Sequence, residues 1–410
     1  MSEILFLSHR IPFPPDRGDK IRSHHLLRRL AAIAPVHVAT FADDEADAAS
    51  EADLALLAAS WKLVRRTRPL PLAGLMALAQ GKPVSLTAFH HAALAAYVEE
   101  TLRLHPISTI FVFSGQMGQY IPASYRGRVI VDFVDVDSAK FDAYGQTTRW
   151  PMNLVHAREG RLLMAEEARL AARADVSLLV SPEEAALFRT RLHAPRGADI
   201  RALGNGIDAV SYDPVLVEPE PRLAALSGPP LIFTGQMDYP PNVAAAIRAA
   251  TRIMPLIRVR LPDATFHIVG RNPSAAVEAL HGVNGTHVWG RVDDIRPWLK
   301  GADLALIPLE IARGVQNKVL EAMAMALPVV TSAEAATGIA ATPARDFAVA
   351  RTDAELAAAA SDLLLSRPRA RVMGLAARRY VERSHNWATV LAPVAGMVEV
   401  PPRGGARRAA

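Results

Sequence analysis

The segment with the clearest chemical potential is RGVQNKVLEAMAMALPVV, residues 313–330, in which a glycine precedes a predicted helix and a proline-led apolar strand. A diphosphate at the amino end of that helix would meet unpaired N–H groups and the positive end of the dipole. Arg313 and Lys318 would add full positive charges. Glu321 lies about one turn after Lys318, where its carboxylate can accept hydrogen bonds from ribose hydroxyls. The alternative is a surface ion pair between Lys318 and Glu321.

A second candidate is the proline-rich loop HRIPFPPDRGDK, residues 9–20, which follows the first predicted strand and reaches Gly18 where a helix begins. Backbone without side chains beside free helix N–H groups forms an anion site. An ordinary strand-to-helix loop has the same composition, so both interpretations stay open at this point.

Three acids, Asp132, Asp135 and Asp137, come at or after the predicted strand Val129–Phe133. One of them, with Asp135 as our candidate, could act on an acceptor hydroxyl as base or hydrogen-bond partner. Helix capping with solvation is the alternative. No histidine or fourth carboxylate accompanies them, so we predict no metal site there.

Composition limits the class of protein. A chain of 410 residues, 50% hydrophobic and 21% charged, predicts two folded domains. The absence of cysteine excludes disulfides and thiolate chemistry and favours a cytoplasmic location. Basic residues are dispersed without an aromatic patch, so no nucleic-acid partner is expected. No signal peptide is predicted, and the longest apolar run, Leu70–Ala79, is shorter than the ~20 residues of a membrane-spanning helix.

Short apolar runs alternate with helical patterns along the chain, which predicts an α/β fold of two doubly wound parallel sheets. Among these elements are strands at 265–269 and 304–307, helices at 242–253 and 274–281, and a helix start marked by Ser181 and Pro182. Ligands bind such sheets beyond the carboxyl ends of the strands, where the candidate loops lie. Turn residues and prolines after Asn205 indicate a linker. The predicted divisions are an N-terminal domain 1–208, a linker 209–229, a C-terminal domain 230–380, a closing helix 381–398 and a disordered basic tail 399–410.

Several motifs resemble those of the GT4-like glycosyltransferases. NKVLEAMAMALPVVTS is similar to their nucleotide-sugar signature, and four further segments follow the family's order: Leu203–Asp208, Phe233–Gly235, Phe266–Gly270 and Gly290–Asp294. The forms FLSHRIPFPPDRGDKIR and RGVQNKVLEAMA look most like the sugar transferases associated with exosortase/PEP-CTERM exopolysaccharide systems.

The resemblance implies a GT-B fold, in which two Rossmann-like domains face each other across a cleft and the C-terminal one holds the donor. It implies a retaining, hexosyltransferase-type enzyme with no required metal and no cofactor beyond the nucleotide-sugar co-substrate. By analogy, Glu321 would bind the donor ribose, and the loop 313–318 would contact the sugar and diphosphate. Gly235 would let the backbone approach the diphosphate, and Gly18 would complete the cleft.

Two positions depart from the broader family. Arg313 stands where the first of two glutamates is usual, and no basic pair follows Gly235. Charge on the leaving diphosphate must therefore be neutralised by other residues, and our candidates in order are Arg313, Lys318, Arg271 and Arg291.

We predict front-face transfer driven by electrostatic stabilisation, with Arg313, Lys318 and Asp135 as catalytic candidates. The predicted donor-binding residues are Gly18, Gly235, Arg271, Arg291, Gly314, Asn317 and Glu321.

The expected partners are a nucleotide-sugar donor, a glycan or polyprenyl-linked acceptor and an anionic membrane surface on the inner face of the cell membrane. Basic and apolar residues alternate in Trp61–Arg68 and Leu70–Ala79, as at a lipid-binding surface; a short core helix with a solvated basic end is the alternative. Two rival functions stay open, a nucleotide-sugar 2-epimerase of the same fold and a non-catalytic nucleotide-sugar-binding protein in polysaccharide assembly.

Overall fold

The computed structural model describes residues 2–67, 69–192, 198–312 and 314–399. These residues form two compact units. The first contains the described residues up to Asn205 and again from Val390, and the second contains Gly206–Thr389. The predicted domain limits stay predictions, but two findings bear on them: residues 209–229 lie within the second unit, and the chain returns to the first unit at Val390.

The first unit is built on a seven-stranded sheet with the order β3-β2-β1-β4-β5-β6-β7, in which every pair is parallel. β2 and β5 are buried almost throughout, because helices cover both faces of a parallel sheet. The strands are β1 (Glu3–Ser8), β2 (Val36–Ala42), β3 (Ser60–Arg65), β4 (Ile107–Phe113), β5 (Arg128–Val134), β6 (Val176–Leu179) and β7 (Ile200–Ala202).

The helices of the first unit begin at local signals in the sequence. At α9, the Ser181 hydroxyl accepts a hydrogen bond from Glu184 N at 3.1 Å and Pro182 occupies the first turn, as the sequence predicted. The helices are α1 (Gly18–Ala31), α2 (Glu45–Ala49), α3 (Glu51–Ala55), α4 (Leu70–Gln80), α5 (Val84–Ala88), α6 (Ala92–Leu104), α7 (Asp137–Thr147), α8 (Met152–Arg173), α9 (Pro182–Arg191) and, from the chain's end, α19 (Ala392–Glu399).

The basic segment after residue 60 forms a strand that the sequence did not predict. For Trp61–Arg68 and Leu70–Ala79 the sequence left open a short core helix with a solvated basic end. The structure forms the helix α4 over Leu70–Gln80, and Ser60–Arg65 forms β3, the edge strand that pairs with β2. Lys62 and Arg65 are exposed, whereas Val64 is buried. Charged residues are common on edge strands because they discourage pairing with other chains.

The second unit is built on a six-stranded parallel sheet with the order β10-β9-β8-β11-β12-β13. The predicted strands 265–269 and 304–307 coincide with β9 and β11. The strands are β8 (Pro230–Thr234), β9 (Thr265–Val269), β10 (Thr286–Gly290), β11 (Leu304–Ile307), β12 (Val329–Ser332) and β13 (Ala348–Ala350).

The helix predicted over 242–253 is longer than expected, because α11 continues through a π-turn, Ala249–Ile253, directly into α12. The helix predicted over 274–281 shortens to α13. The α-helices of this unit are α10 (Pro221–Ala224), α11 (Pro240–Arg248), α12 (Met254–Arg260), α13 (Ala275–Glu278), α14 (Arg296–Gly301), α15 (Asn317–Ala324), α16 (Asp353–Leu365), α17 (Arg367–Ser384) and α18 (Trp387–Val390).

The segment predicted as a linker packs on the second unit. The guanidinium of Arg222 lies over the rings of Trp289 and Trp298, at 4.7 and 4.6 Å from their centroids. Glu220 N donates to Pro297 O at 2.9 Å. Across the described residues of both units, no helix combines the length and apolar character needed to cross a bilayer.

Candidate functional site

Three loops meet closely at the carboxyl edge of the second unit's sheet. Gly270 N donates to Gly290 O at 2.8 Å, and a Cβ on Gly270 would lie 1.6 Å from Gly235 O, so the loops after β8, β9 and β10 are in contact through backbone. Gly235 has φ +152°, a region that side chains rarely adopt. This edge therefore presents main-chain atoms where the sequence analysis placed Gly235.

Lys318 reaches into this edge from the first turn of α15. Its Nζ donates to Asn242 Oδ1 at 2.5 Å and lies 4.5 Å from the centroid of the Phe233 ring. Asn242 in turn donates to Gln236 O at 2.8 Å, in the loop after β8. Burial lowers the pKa of Lys318 to about 8. The ammonium is held by a neutral amide and an aromatic face.

Glu321 lies one turn further along α15 and is half-buried. Burial raises the pKa of its carboxyl group, and the nearby charge of Lys318 opposes that rise. No residue of the described chain donates a hydrogen bond to its carboxylate. The Glu321 charge also adds to the effect of burial in raising the pKa of Tyr212. Glu321 can therefore accept hydrogen bonds from a ligand, and the alternative of a Lys318–Glu321 surface ion pair is not seen.

The amino end of α15 has no side-chain cap among the described residues. Gln316 precedes the helix without a side-chain cap, and Asn317 is exposed at its first position. Gly314 has φ +61°, which permits the turn before the helix. The first helical N–H groups have no side-chain acceptor within this turn, which is the arrangement that binds anions.

The predicted arginines differ in how the structure places them. Arg271 follows β9 and donates to Gln236 Oε1 at 3.1 Å, so it joins the Gly235 loop. Arg291 follows β10 and is exposed, one residue after Gly290. Arg313 lies outside the described residues, between Ala312 and Gly314.

Two residues that the sequence analysis did not select support this site. Asn242 tethers Lys318 to the loop after β8. Arg378 on α17 donates to Ala324 O at 2.6 Å and to Tyr212 O at 2.7 Å, so it fixes the carboxyl end of α15 beside Tyr212. Asn242 could have been selected from the sequence, because it lies at the start of a predicted helix that follows a strand. Arg378 could not, because nothing in the sequence connects it with residues so distant.

The sequence also predicted three functional residues, Gly18, Asp132 and Asp135, at the carboxyl edge of the first unit's sheet. Gly18 opens α1, has no positive φ, and a Cβ there would meet nothing within 4 Å, so its position does not require glycine. Asp135 is exposed just after β5. Asp132 is fully buried and pairs with Arg22 at 2.8 Å, so the expectation that it could face an acceptor is wrong.

His9, the first residue of the proline-rich loop after β1, lies at the same edge. His9, directly after β1, is buried with its ring stacked on Phe113 at 5.6 Å and its Nε2 3.3 Å from the Asp19 carboxylate. Burial lowers its pKa, partly offset by Asp19. Its Nδ1 has no hydrogen-bond partner among the described residues. The sequence could have indicated His9 as a candidate, because it directly follows the first predicted strand.

Comparison with known proteins adds a family likeness for the second unit. Residues 228–366 match the sequence profile described as "Glycosyl transferases group 1". Phosphatidyl-myo-inositol mannosyltransferase of Propionibacterium freudenreichii subsp. shermanii is 29% identical over 166 residues. That alignment covers 40% of this chain and 40% of the curated relative, so it leaves most of both proteins unmatched.

Solved structures resemble almost the whole chain. Anabaena HepE in complex with UDP-glucose has a TM-score of 0.61 at 16% identity, covering 97% of this chain and 99% of that one. Sucrose-phosphate synthase from Thermosynechococcus elongatus has a TM-score of 0.60 at 16% identity, covering 97% and 98%. The chain therefore has the fold of the GT-B glycosyltransferases, two parallel-sheet α/β domains, and its second unit is similar in sequence to the group 1 glycosyl transferases.

Proposed function

We propose that this protein is a glycosyltransferase that takes its sugar from a nucleoside-diphosphate sugar bound at the carboxyl edge of the second unit's sheet. The proposal rests on two groups of α15 that lie one turn apart, the Lys318 ammonium and the Glu321 carboxylate. Lys318 is positioned by Asn242 beside the backbone of Gly235, and Glu321 has no donor among the described residues. A diphosphate and the hydroxyls of a ribose are complementary to these two groups.

The electrostatics of the site suit a leaving diphosphate. Lys318 lies in the first turn of α15, whose amino end has no side-chain cap, and both would stabilise negative charge on the phosphate oxygens. Arg271 borders the same loop, and Arg291 follows β10 at the same edge. Arg313 precedes Gly314 in the chain and stays a candidate for the same role. These cations would supply, in our proposal, the charge that a metal ion supplies in other transferases.

The reaction that we propose is a front-face displacement. The bond from the sugar's anomeric carbon to the diphosphate oxygen breaks while a bond to the acceptor oxygen forms on the same face. The acceptor's proton passes to the departing phosphate, so no catalytic carboxylate pair is required, and configuration is retained. Asp135, exposed after β5, stays the candidate in the first unit for orienting an acceptor hydroxyl.

We further propose that the acceptor is a glycan or polyprenyl-linked sugar, in exopolysaccharide or cell-surface polysaccharide synthesis of the exosortase/PEP-CTERM type. The family match and the UDP-glucose bound by Anabaena HepE support a nucleotide-sugar donor. The mannosyltransferase relative acts, by its name, on a phosphatidyl-inositol lipid, which supports an acceptor with a lipid portion and a hexosyl donor.

An exposed apolar surface on the first unit suits such an acceptor. Leu72, Leu75 and Leu78 of α4 are 49%, 66% and 62% exposed at a spacing that aligns them along one side. Trp150, just before α8, is 77% exposed. Arg158 of α8 donates to Ala77 O at 3.1 Å, which holds the two helices together.

Basic residues accompany the exposed leucines. Lys62 and Arg65 on β3 precede α4 in the chain, and Lys82 follows it, all exposed. A surface that combines exposed leucines and tryptophan with lysine and arginine binds anionic bilayers. We propose that the first unit binds the surface of an anionic membrane peripherally through α4 and the start of α8, on the cytoplasmic side.

The experiment that tests the proposed activity measures nucleoside diphosphate release from UDP-, GDP-, ADP- and dTDP-sugars, with and without a lipid extract as acceptor source. We expect release from one donor with the wild-type protein and with Glu278→Gln, an exposed glutamate on α13. Glu321→Gln should lose at least ten-fold in rate. Binding of a donor without release in any condition would favour the non-catalytic alternative, and interconversion of the donor sugar would favour the epimerase.

The membrane proposal is tested by co-sedimentation with phosphatidylcholine vesicles that contain or lack phosphatidylglycerol. The wild type and Leu365→Asp, which alters an exposed leucine of the second unit, should sediment with the anionic vesicles. Leu75→Asp/Leu78→Asp should stay in the supernatant. Equal sedimentation of the double variant and the wild type would contradict the proposal.

A further inference from the structure

Three side chains with metal-binding chemistry converge at the amino edge of the first unit's sheet. Glu3 opens β1, His37 is the second residue of β2, and His105 follows α6 just before β4. Their ligand atoms all lie within 4.8 Å of one another. Glu3 Oε2 is 2.7 Å from His37 Nε2 and 3.1 Å from His105 Nδ1. The cluster belongs to strand ends opposite the carboxyl edge where His9 and Asp135 lie.

We propose that Glu3, His37 and His105 form a zinc site that joins the amino ends of β1, β2 and β4. Two imidazoles and one carboxylate are a three-residue ligand set that binds Zn²⁺, with water in the fourth position. In a tetrahedral site with bonds of ~2.0–2.2 Å, ligand atoms lie roughly 3.3 Å apart. The two observed separations, 2.7 and 3.1 Å, come near that value, so small side-chain shifts admit the ion.

The surroundings of His37 favour ligation over a simple hydrogen-bonded cluster. His37 is buried, and its Nδ1 lies 2.7 Å from Ser60 Oγ, which itself lies 2.6 Å from the Tyr97 hydroxyl. Metal-binding histidines hydrogen-bond through the second ring nitrogen in this way, which fixes the ring and leaves the first nitrogen for the metal. The parallel register of β2 with β3, which pairs His37 with Ser60, creates the contact.

The site is also accessible and lacks a competing cation. The side chains of Glu3 and His105 are 20% and 38% exposed, so an ion and its water can enter from solvent. Among the described residues, the Glu3 carboxylate pairs with His37 and His105 and with no lysine or arginine. Because the ligands lie at the amino ends of their strands, we expect zinc to stabilise the first unit without affecting donor binding by the second.

The test uses full-length protein stripped with EDTA and then titrated with Zn²⁺, and with Co²⁺ for its visible spectrum. We expect binding of one ion per chain, a rise in melting temperature with Zn²⁺, and Co²⁺ absorption typical of tetrahedral coordination. His105→Gln, at a partly exposed position that tolerates substitution, should abolish all three. His37→Gln should do the same, and Ser60→Ala should weaken binding roughly ten-fold because it removes the orienting contact.

His90→Gln, an exposed histidine of the same unit, is the matched control and should bind zinc as the wild type does. Failure of the wild type to bind one equivalent of zinc would overturn the proposal. Wild-type affinity in folded His105→Gln would overturn it equally, because the bound ion would then lie elsewhere. Neither result would bear on the donor site, since nucleotide-sugar binding is measured separately on the same stripped protein.

Discussion

The carboxyl edges of the two sheets use their charged residues in opposite ways. In the first unit, the cations are paired with carboxylates: Arg10 with Asp19 and Asp43, Lys20 with Asp47, and Arg22 with Asp132. In the second unit, Lys318 is held by a neutral amide, and Glu321 receives no hydrogen bond from the described residues. The charged residues of the first edge stabilise the fold through ion pairs, whereas Lys318 and Glu321 at the second edge are available to bind a ligand.

The largest expected effect concerns the buried pair of the first unit. Arg22 donates to Asp132 and to the carbonyls of Leu203 and Gly204 at 2.8 Å, with both side chains buried. Arg22→Met would leave the Asp132 carboxylate buried without a cation, which should lower the free energy of unfolding by about 3–5 kcal/mol. Urea denaturation measures this loss.

The double variant Arg22→Met/Asp132→Leu removes both charges and should recover much of that stability. Donor affinity of the single variant, measured in conditions where it stays folded, should equal that of the wild type. A change below about 1 kcal/mol in the single variant would mean that the pair is not structural.

The next effect concerns the unpaired carboxylate of the second unit. Glu321→Gln removes a charged acceptor, which should weaken nucleotide-sugar binding by about 1.5–3 kcal/mol, roughly ten- to hundred-fold, with little change in stability. Calorimetric titration of the variant and of Glu278→Gln measures the difference. If Glu321→Gln and Glu278→Gln both bind the donor as the wild type does, Glu321 does not bind the donor, and this difference between the two edges is contradicted.

A pair of glycine substitutions compares the two edges directly. At Gly235, φ is +152° and an added Cβ would lie 2.8 Å from Asn242 Nδ2 and 3.0 Å from Lys318 Nζ. Gly235→Ala should therefore displace both and cost about 1–3 kcal/mol in stability or donor affinity. Gly18→Ala meets nothing within 4 Å and should cost less than about 0.5 kcal/mol. Thermal melts and titrations of both variants make the comparison, and equal effects would contradict it.

The smallest effect is a pH dependence from Lys318, whose pKa burial lowers to about 8. The protonated lysine binds the diphosphate, so affinity should fall as pH rises through that value. Between pH 7 and 8.5 the protonated fraction falls about four-fold, and the dissociation constant should rise by about the same factor. Lys318→Arg, which does not titrate in this range, should show a flatter profile. A wild-type profile identical to that of Lys318→Arg would exclude this role.

Much of the fold could be predicted from the sequence because the central strands are short apolar runs bounded by turn residues. β9 and β11 have the predicted bounds for that reason. The edge strand β3 was missed as a strand because Lys62 and Arg65 interrupt its apolar pattern. The helix predicted to end at Ile253 instead continues from α11 through a π-turn into α12, which contains Pro255 in its first turn.

The contacts of the candidate site could also be predicted only where they join residues close together in the chain. The spacing of Lys318 and Glu321 on one helix is local, so the sequence predicted their proximity. The contact of Lys318 with Asn242 joins residues 76 positions apart, and Arg22 and Asp132 are 110 apart. No periodicity reports such contacts, because they depend on which loops the parallel sheet brings to one edge.

The most direct test of the central claim is calorimetric titration of the wild type and of Glu321→Ala with UDP-, GDP-, ADP- and dTDP-sugars. We predict that one nucleotide-sugar binds the wild type at one molecule per chain and that Glu321→Ala loses at least ten-fold in affinity while its melting temperature is unchanged. Undiminished binding by Glu321→Ala, or no binding of any nucleotide-sugar by the folded wild type, would contradict the assignment of the donor site to α15.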